Sequence, residues 1–429
     1  MKQFLKVMAA CCTVLALAAC GGGGGNASSV KTSTSGSSSV ASAVNYLSAD
    51  PEQISISGSG GREWSYVTFK VIDSTGAISV GASATVSLTK NPGGVGLDSA
   101  DSTSDLSLTS DSKGIIGFKV YAGRVPGPVE VKVSLANSSA SAYSKNLTVQ
   151  SGPPTQSGFS LAASEYNIEG KAYQGTTTTL TIQPTDHYGN AVPDGTVINF
   201  TAEGGQISAS CTTSRVNGIS SCQVTFSSGS NVPSDGRISI LAHAEGVKDY
   251  SDTNSNGTYG SGDTLSNIGD AYRDDNENRT YDSDLGEFTI TRGGSVECSG
   301  SGGSAPSRKD TCSAALATTV RRQLVLIMSG STAKFGSSSV STSSITFTLT
   351  DDGGVNPMPA GTTIVPTVTD STDNSLACTA KANPSDVPNT NISTGTDVTI
   401  QLTNCAIGDS ITVDVTTKKG NVTSKTFTL

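Results

Sequence analysis

Short runs of alternating apolar and polar residues fill most of the chain, separated by turns rich in Gly, Asp and Ser. Three stretches share one order: SYVTFKVIDSTGAISVGASATVSL (65–88), TTLTIQPTDHYGNAVPDGTVINF (178–200) and SITFTLTDDGGVNPMPAGTTIVPTV (344–368). Each has an alternating run, an Asp followed by a Gly-bearing turn, a small-residue hinge and a second alternating run. A period of two puts alternate side chains on one face, which predicts strands with one buried side. A second match needs no gaps: TSDSKGIIGFKV (109–120) and TSRVNGISSCQV (213–224). Both lead to a further strand, VEVKVSLA (129–136) and ISILAHA (238–244), and the third stretch ends with DVTIQL (397–402) and SITVDVTT (410–417). Asp73 to Asp186 spans 113 residues and Asp186 to Asp352 spans 166, an excess of 53. Two inserts roughly account for it, the acidic stretch 249–287 and a Gly/Ser loop between Cys298 and Cys312.

Short strands with turns at this spacing predict tandem sandwiches of about 100 residues each. The length, 429 residues, suits three domains. Aromatic residues are only 5% and Gly supplies 48 positions, which fits thin all-β sandwiches better than one large enzyme core. The formal net charge is −9 and no Lys/Arg cluster occurs, so nucleic acid is a poor partner.

The N-terminus reads MKQFLKVMAACCTVLALAAC. Lys2 and Lys6 precede an apolar stretch from Val7 to Ala19. That is shorter than the roughly 20 residues a membrane-spanning helix needs, and it matches a secretory signal. Leu17-Ala18-Ala19-Cys20 resembles the lipobox of bacterial lipoproteins. The resemblance implies removal of residues 1–19, lipidation of Cys20 and a membrane contact through the acyl chains, which together anchor stably. Gly21 follows the Cys where an Asp would favour inner-membrane retention, so the resemblance implies the outer membrane. Removing two lysines leaves 25 basic and 36 acidic residues, a mature charge of −11. Residues 20–46 read as the lipidated Cys and a flexible Gly/Ser tether, with an end-to-end distance of about 25–30 Å.

The phrase Asp186-His-Tyr-Gly-Asn-Ala-Val-Pro-Asp-Gly-Thr-Val, with Thr213 to Val224 downstream, resembles the bacterial Ig-like repeats of the invasin/intimin type. The second stretch matches that pattern best and the first well. The third, with Asp-Asp-Gly-Gly and Met-Pro-Ala-Gly, matches in part. The resemblance implies immunoglobulin-like β-sandwiches in a cell-surface rod, used as an adhesin or as a spacer. Expected boundaries are 47–152 for domain 1, 156–292 for domain 2 with its insert at 249–287, 293–318 for the Cys-bounded loop and 319–429 for domain 3.

Six cysteines remain after the signal: Cys211, Cys222, Cys298, Cys312, Cys378 and Cys405. An even number in an exported chain predicts disulfides. Pairing of sequence neighbours is expected, because each pair then falls in one predicted domain or insert. Cys222 aligns with Phe118, which alternates with Ile116 and Val120 and so faces the core. A Cys211–Cys222 bond would contribute about 2–4 kcal/mol. The C-x-x-C spacing of a zinc site does not occur among them.

Residues 249–287 carry ten acids and two arginines, a charge of −8. In the first loop Asp252, Asn254 and Asn256 fall at positions 1, 3 and 5, with Gly257 at 6, Thr258 at 7 and Asp263 at 12. This is the spacing of an EF-hand-type calcium loop, where hard oxygens converge on one ion. Asp263 stands where an EF-hand places a bidentate Glu, and in this the loop resembles the dockerin type. The second loop places Asp274, Asn276 and Asn278 at positions 1, 3 and 5, Thr280 at 7 and Asp282 at 9. Arg279 takes the Gly position and Leu285 position 12, so Asp284 or Glu287 would supply the last ligand. The competing reading is a solvated acidic insert with Asn/Gly turns. Bound calcium would stiffen the junction between domains 2 and 3.

The chain has two histidines, His187 in a turn and His243 in a strand. It has no G-x-S-x-G, H-E-x-x-H or phosphate-binding loop, so an enzyme is not expected. Trp64, the single Trp, is expected in a core. Two function classes follow. One is an outer-membrane-anchored, surface-exposed adhesin or structural stalk meeting a surface protein, glycan or matrix ligand. The other is a periplasm-facing structural lipoprotein, or a subunit of a cell-surface assembly, without adhesive activity.

Overall fold

The computed structural model describes residues 40–254, 259–298, 304–371 and 376–429. Cys20, the tether up to residue 39, and Asn256, Gly257 and Thr258 of the first acidic loop lie outside the described residues. The fold is all-β, and three successive Ig-like sandwiches each close over their own core.

In domain 1 one sheet joins Ala41–Asp50, Trp64–Asp73, Ile115–Tyr121 and Gly96–Leu97. The facing sheet joins Ser141–Tyr143, Glu130–Leu135, Ser83–Lys90 and Leu106–Thr109. The alternation read from the sequence places Val67, Phe69, Val71, Ile116, Phe118 and Val120 between them. The domain begins earlier than its composition implies. Residues 41–46, assigned above to the tether, belong to the first strand, which pairs with Trp64–Asp73 along its length. The pairing buries Val44 and sets Tyr46 edge-on to Phe69 at 5.5 Å. Small, hydroxyl-rich residues conceal that strand in the sequence.

Domain 2 sets Phe159–Ala163, Thr177–Pro184, Ile219–Ser227 and Gln206–Ile207 against a second sheet. That second sheet runs Asn167–Ile168, Ala317–Met328, Arg237–Val247, Val197–Ala202 and Ser210–Thr212. The strand Ala317–Met328 corrects the expected boundaries, which place residues from 319 onward in domain 3. It pairs antiparallel with Arg237–Val247 from Arg237 opposite Ile327 to Val247 opposite Ala317. Val320, Leu324, Leu326 and Met328 complete the domain 2 core. The acidic stretch and the Gly/Ser loop therefore form one excursion, residues 248–316, between two neighbouring strands of one sheet.

Domain 3 follows from residue 330. Lys334–Val340, Ser344–Thr350, Thr396–Thr403 and Thr379–Asn383 face Thr363–Thr369, Ser410–Thr416 and Val422–Thr428. Its turn Asp is Asp351, one residue before the position assigned from sequence. Asp351 N–H donates to Asn356 O and Gly354 N–H to Asp351 O, as Asp186 does with Asn190 O and Gly189.

The three disulfides join sequence neighbours: Cys211–Cys222, Cys298–Cys312 and Cys378–Cys405. Cys211 and Cys222 sit in opposite sheets, so this bond staples the sandwich rather than one hairpin. Cys298–Cys312 closes the Gly/Ser loop inside the excursion.

Candidate functional site

The described part of the excursion packs as a layer on the outer face of the domain 2 sheet, with the tip of its second loop exposed. Arg237–Val247 is buried on both faces: Ile238, Ile240 and Ala242 point into the core, Ser239 and Leu241 into the excursion. Arg321 anchors the layer from beneath, fully buried. Its guanidinium donates to Pro306 O at 3.0 Å, Thr319 O at 2.9 Å and Gly269 O at 2.9 Å. Burial pushes its pKa down to about 10, with Asp270 and Tyr272 opposing. Lys248, also buried, donates to Asn267 Oδ1 at 3.0 Å and to Ser313 O. Gln323 accepts from Asp274 N–H at 2.9 Å and donates to Asp274 O at 2.7 Å, which fixes the start of the second loop on the sheet.

The second loop closes on itself through its predicted ligand residues. Asp274 Oδ1 accepts from Asn278 N–H at 3.1 Å and Oδ2 from Arg279 N–H at 2.8 Å. Asn276 Oδ1 accepts from Asn278 N–H, and Asn278 Oδ1 from Thr280 N–H. The amides of Asn276 and Asn278 both donate to Asp282 Oδ2, at 2.8 and 2.6 Å. Of the two candidates for the last position, Glu287 reaches back into the loop by hydrogen bonds. Its oxygens accept from Asp275 N–H at 2.9 Å and Asp282 N–H at 2.8 Å, bridging the loop's start and middle. Arg279 holds the Gly position with a left-handed φ of 64°, a conformation that costs a non-Gly residue about 1–2 kcal/mol.

Asp274 and Glu287 are 4% exposed. Burial raises both carboxyls above their ordinary pKa against the opposing backbone N–H donors, with neighbouring acids adding less. Two buried carboxylates with neighbouring acids, among amide and carbonyl oxygens, form a hard-oxygen set that suits calcium and suits neither zinc nor copper. Among the described residues the loop does not gather three carboxylates within 4.8 Å, so amide and backbone oxygens would have to complete the shell. Among the described residues the group meeting that distance is Cys378, Cys405 and Asp409, and its two sulfurs are bonded to each other.

Of the first loop's five candidate ligands, Asp252, Asn254 and Asp263 lie in described positions. Asp263 accepts from Thr253 N–H at 3.0 Å and Gly260 N–H at 2.8 Å. The base of this loop lies at the junction of domains 1 and 2. Tyr250 stacks on His187 at 4.4 Å and donates to Gly58 O of domain 1 at 3.4 Å. His187 thus serves as a packing face. His243 lies on the outer sheet face with Phe288 at 6.5 Å, and burial lowers its pKa while Glu245 opposes.

The second loop connects to domain 3 through a residue that sequence reasoning missed. Arg237 clasps Glu277 with Nε at 2.5 Å and Nη2 at 2.8 Å. The same guanidinium donates to Asn391 O at 3.1 Å and Ile392 O at 3.4 Å, both in domain 3. Around it Asn167, wholly buried, donates to Met358 O at 2.7 Å and accepts from Thr390 N–H at 3.0 Å. Thr417 Oγ1 and Asn421 Nδ2 donate to Glu169 Oε1 at 2.9 and 2.8 Å. The turn Asp residues of domains 2 and 3 also grip the chain entering their domains. Gly152 N–H donates to Asp186 Oδ2 at 3.1 Å, and Gly330 N–H to Asp351 Oδ2 at 3.0 Å. None of these pairings has a local sequence signal, since the partners lie tens to hundreds of residues apart.

Trp64 corrects a further expectation. It is partly exposed on the outer face of domain 1, outside the core, with Arg62 Cζ and Lys119 Nζ each 4.5 Å from the ring.

No family model matches the sequence, and no curated protein matches it. The chain is similar to solved structures of bacterial invasin/intimin-type adhesins. FdeC, described as an Escherichia coli adhesin, is 13% identical, with 90% of this chain and 96% of that chain covered and a TM-score of 0.35. InvD of Yersinia pseudotuberculosis is 16% identical over 90% of this chain and 97% of that one, with a TM-score of 0.31. The D0-D1 domain of intimin is 14% identical over 46% and 91%, with a TM-score of 0.21. The strand pairings described above, and not these matches, carry the fold assignment.

Proposed function

We propose that this chain is a non-enzymatic Ig-like lipoprotein of the bacterial outer membrane, anchored at Cys20, that acts at the cell surface as an adhesin or its stalk. The second acidic loop takes a calcium ion through Asp274, Asn276, Asn278, Asp282, Glu287 and the carbonyl of Thr280. Calcium there would neutralise the buried acids and hold the loop's shape. The observation that carries this reading is the Arg237 clasp, because it ties the acid-rich loop to domain 3. A loop set by an ion would fix Glu277, and Glu277 would fix Arg237 against the neighbouring domain.

The test is a calcium titration of the full chain, followed by melting. At ten times its dissociation constant a ligand of the folded state adds about 1.4 kcal/mol. For units of this size that is a rise of about 3–5 °C. The rise should vanish in Asp274→Ala. No rise at about 1 mM calcium, the range of extracellular sites, would refute the ion. Protease treatment of intact cells separates surface exposure from a periplasm-facing structural lipoprotein, since a protein facing the periplasm survives it.

A further inference from the structure

We propose that the outer face of the first domain 1 sheet is a binding site for a polyanionic glycan bearing carboxylates or sulfates. This deepens the adhesin reading by naming a ligand class.

On Trp64–Asp73 the inward residues are Ser65, Val67, Phe69 and Val71, which leaves Trp64, Tyr66, Thr68 and Lys70 pointing outward. The register places Trp64 opposite Tyr121 and Tyr66 opposite Lys119 on the neighbouring strand. Tyr66 is 44% exposed. Its ring reaches across the neighbouring strand because Gly117 has no side chain: a Cβ there would stand 2.2 Å from Tyr66 Oη. The arrangement presents an aromatic face on which a sugar ring can stack.

The corresponding outward positions differ in the other two domains. Domain 2 presents Thr179, Thr181 and Gln183 on Thr177–Pro184, and domain 3 presents Ser344, Thr346 and Thr348 on Ser344–Thr350. A scaffold role alone is met by Ser and Thr at these places, so the aromatic and cationic set in domain 1 calls for another cause.

Charge selects the ligand. Arg62 and Lys119 converge on Trp64. Among the described residues, neither they nor Lys70 has a carboxylate within ion-pair distance. Two carboxylates adjoin the set: Asp50 lies opposite Tyr66 on the other neighbouring strand, and Asp98 accepts Lys119 N–H at 2.9 Å. The whole chain carries −9, so a polyanion is repelled by most of the molecule and drawn to this face.

The sole Trp of the chain lies within the site, so its fluorescence reports binding directly. The full chain is titrated with polygalacturonate and with dextran sulfate, with neutral dextran as control. Saturable change with either polyanion and none with neutral dextran is expected, and the stronger of the two identifies carboxylate or sulfate as the preferred group. The double variant Arg62→Gln/Lys119→Gln should weaken binding about tenfold. Its melting temperature should stay at the wild-type value, because both side chains are at the surface. Tyr66→Ser provides a second variant that leaves the charges in place, and it too should weaken binding. No response to either polyanion, or equal binding by the double variant, would overturn the assignment. Tighter binding to phosphatidylglycerol vesicles than to both glycans would overturn it in favour of a membrane surface. Protease treatment of cells tests the anchoring and exposure reading separately, so either can fail alone.

Discussion

Replacing Arg321 with Met tests whether the excursion is a folded layer. The substitution keeps most of the side chain's length and apolar stem while removing three donors. Hydrogen bonds from a charged group are worth about 1.5–3 kcal/mol each, so losing those to Pro306 O, Thr319 O and Gly269 O costs about 6 kcal/mol. Against this stands the cost of burying the guanidinium. Its pKa falls from 12.5 to about 10, and at 1.36 kcal/mol per pKa unit that is about 3 kcal/mol regained on removal. The net loss is about 3 kcal/mol, in line with other cases where one member of a buried polar set is deleted. The carbonyls released belong to the excursion at Gly269 and Pro306, so the loss should fall there first. Urea unfolding should show the destabilisation, and limited proteolysis should show earlier cleavage within 248–316 while the sandwiches persist. A change below about 1 kcal/mol, with unaltered proteolysis, would refute the argument that this layer is held from beneath.

Two other outcomes follow from the same geometry. Burial, with Asp275 and Asp235 adding, raises the Glu203 carboxyl to about 7, while Ser239 N–H and Arg273 oppose. A folded-state pKa above the unfolded value means the associated stability is present below about pH 4.5 and is lost as pH rises through 7. Glu203 is partly exposed, so screening holds the loss to about 1 kcal/mol. Melting between pH 4.5 and 8 should show it, and Glu203→Gln should flatten the curve; an unchanged slope would count against this account. Asp186→Ala strips acceptors from Tyr188, Asn190 and Gly152 N–H groups and should cost about 2–4 kcal/mol. Cleavage near Gly152 should then quicken, and wild-type resistance there would mean the turn does not clasp the entering chain.

How much of the site was legible differs between its parts. In the second loop Asn276, Asn278 and Asp282 could be grouped from their short spacing, and their side chains are joined by hydrogen bonds. That Glu287 bonds back to Asp275 and Asp282 needed the backbone path to show. Arg237 carried no signal at all. Its partners are Glu277 in the excursion and Asn391 in the next domain, and nothing local in the sequence points to either.

The sequence alone determined the repeated strand pairs and which of their residues face the core, because the pleat imposes a period of two and Asp-bearing turns bound the runs. It also determined the disulfide neighbours, since short loops keep each pair within reach. Only the tertiary structure decided where domain 2 ends. Ala317–Met328 is largely buried on both faces because a core covers one and the excursion, bonded to Arg321 and Gln323, the other. Its pairing partner lies beyond the whole 248–316 segment. Residues 41–46 joined a strand despite tether-like composition, and Trp64 left the core for the surface, for one physical reason. Burial depends on what a strand packs against, and that is a property of distant segments brought together, which local pattern does not contain.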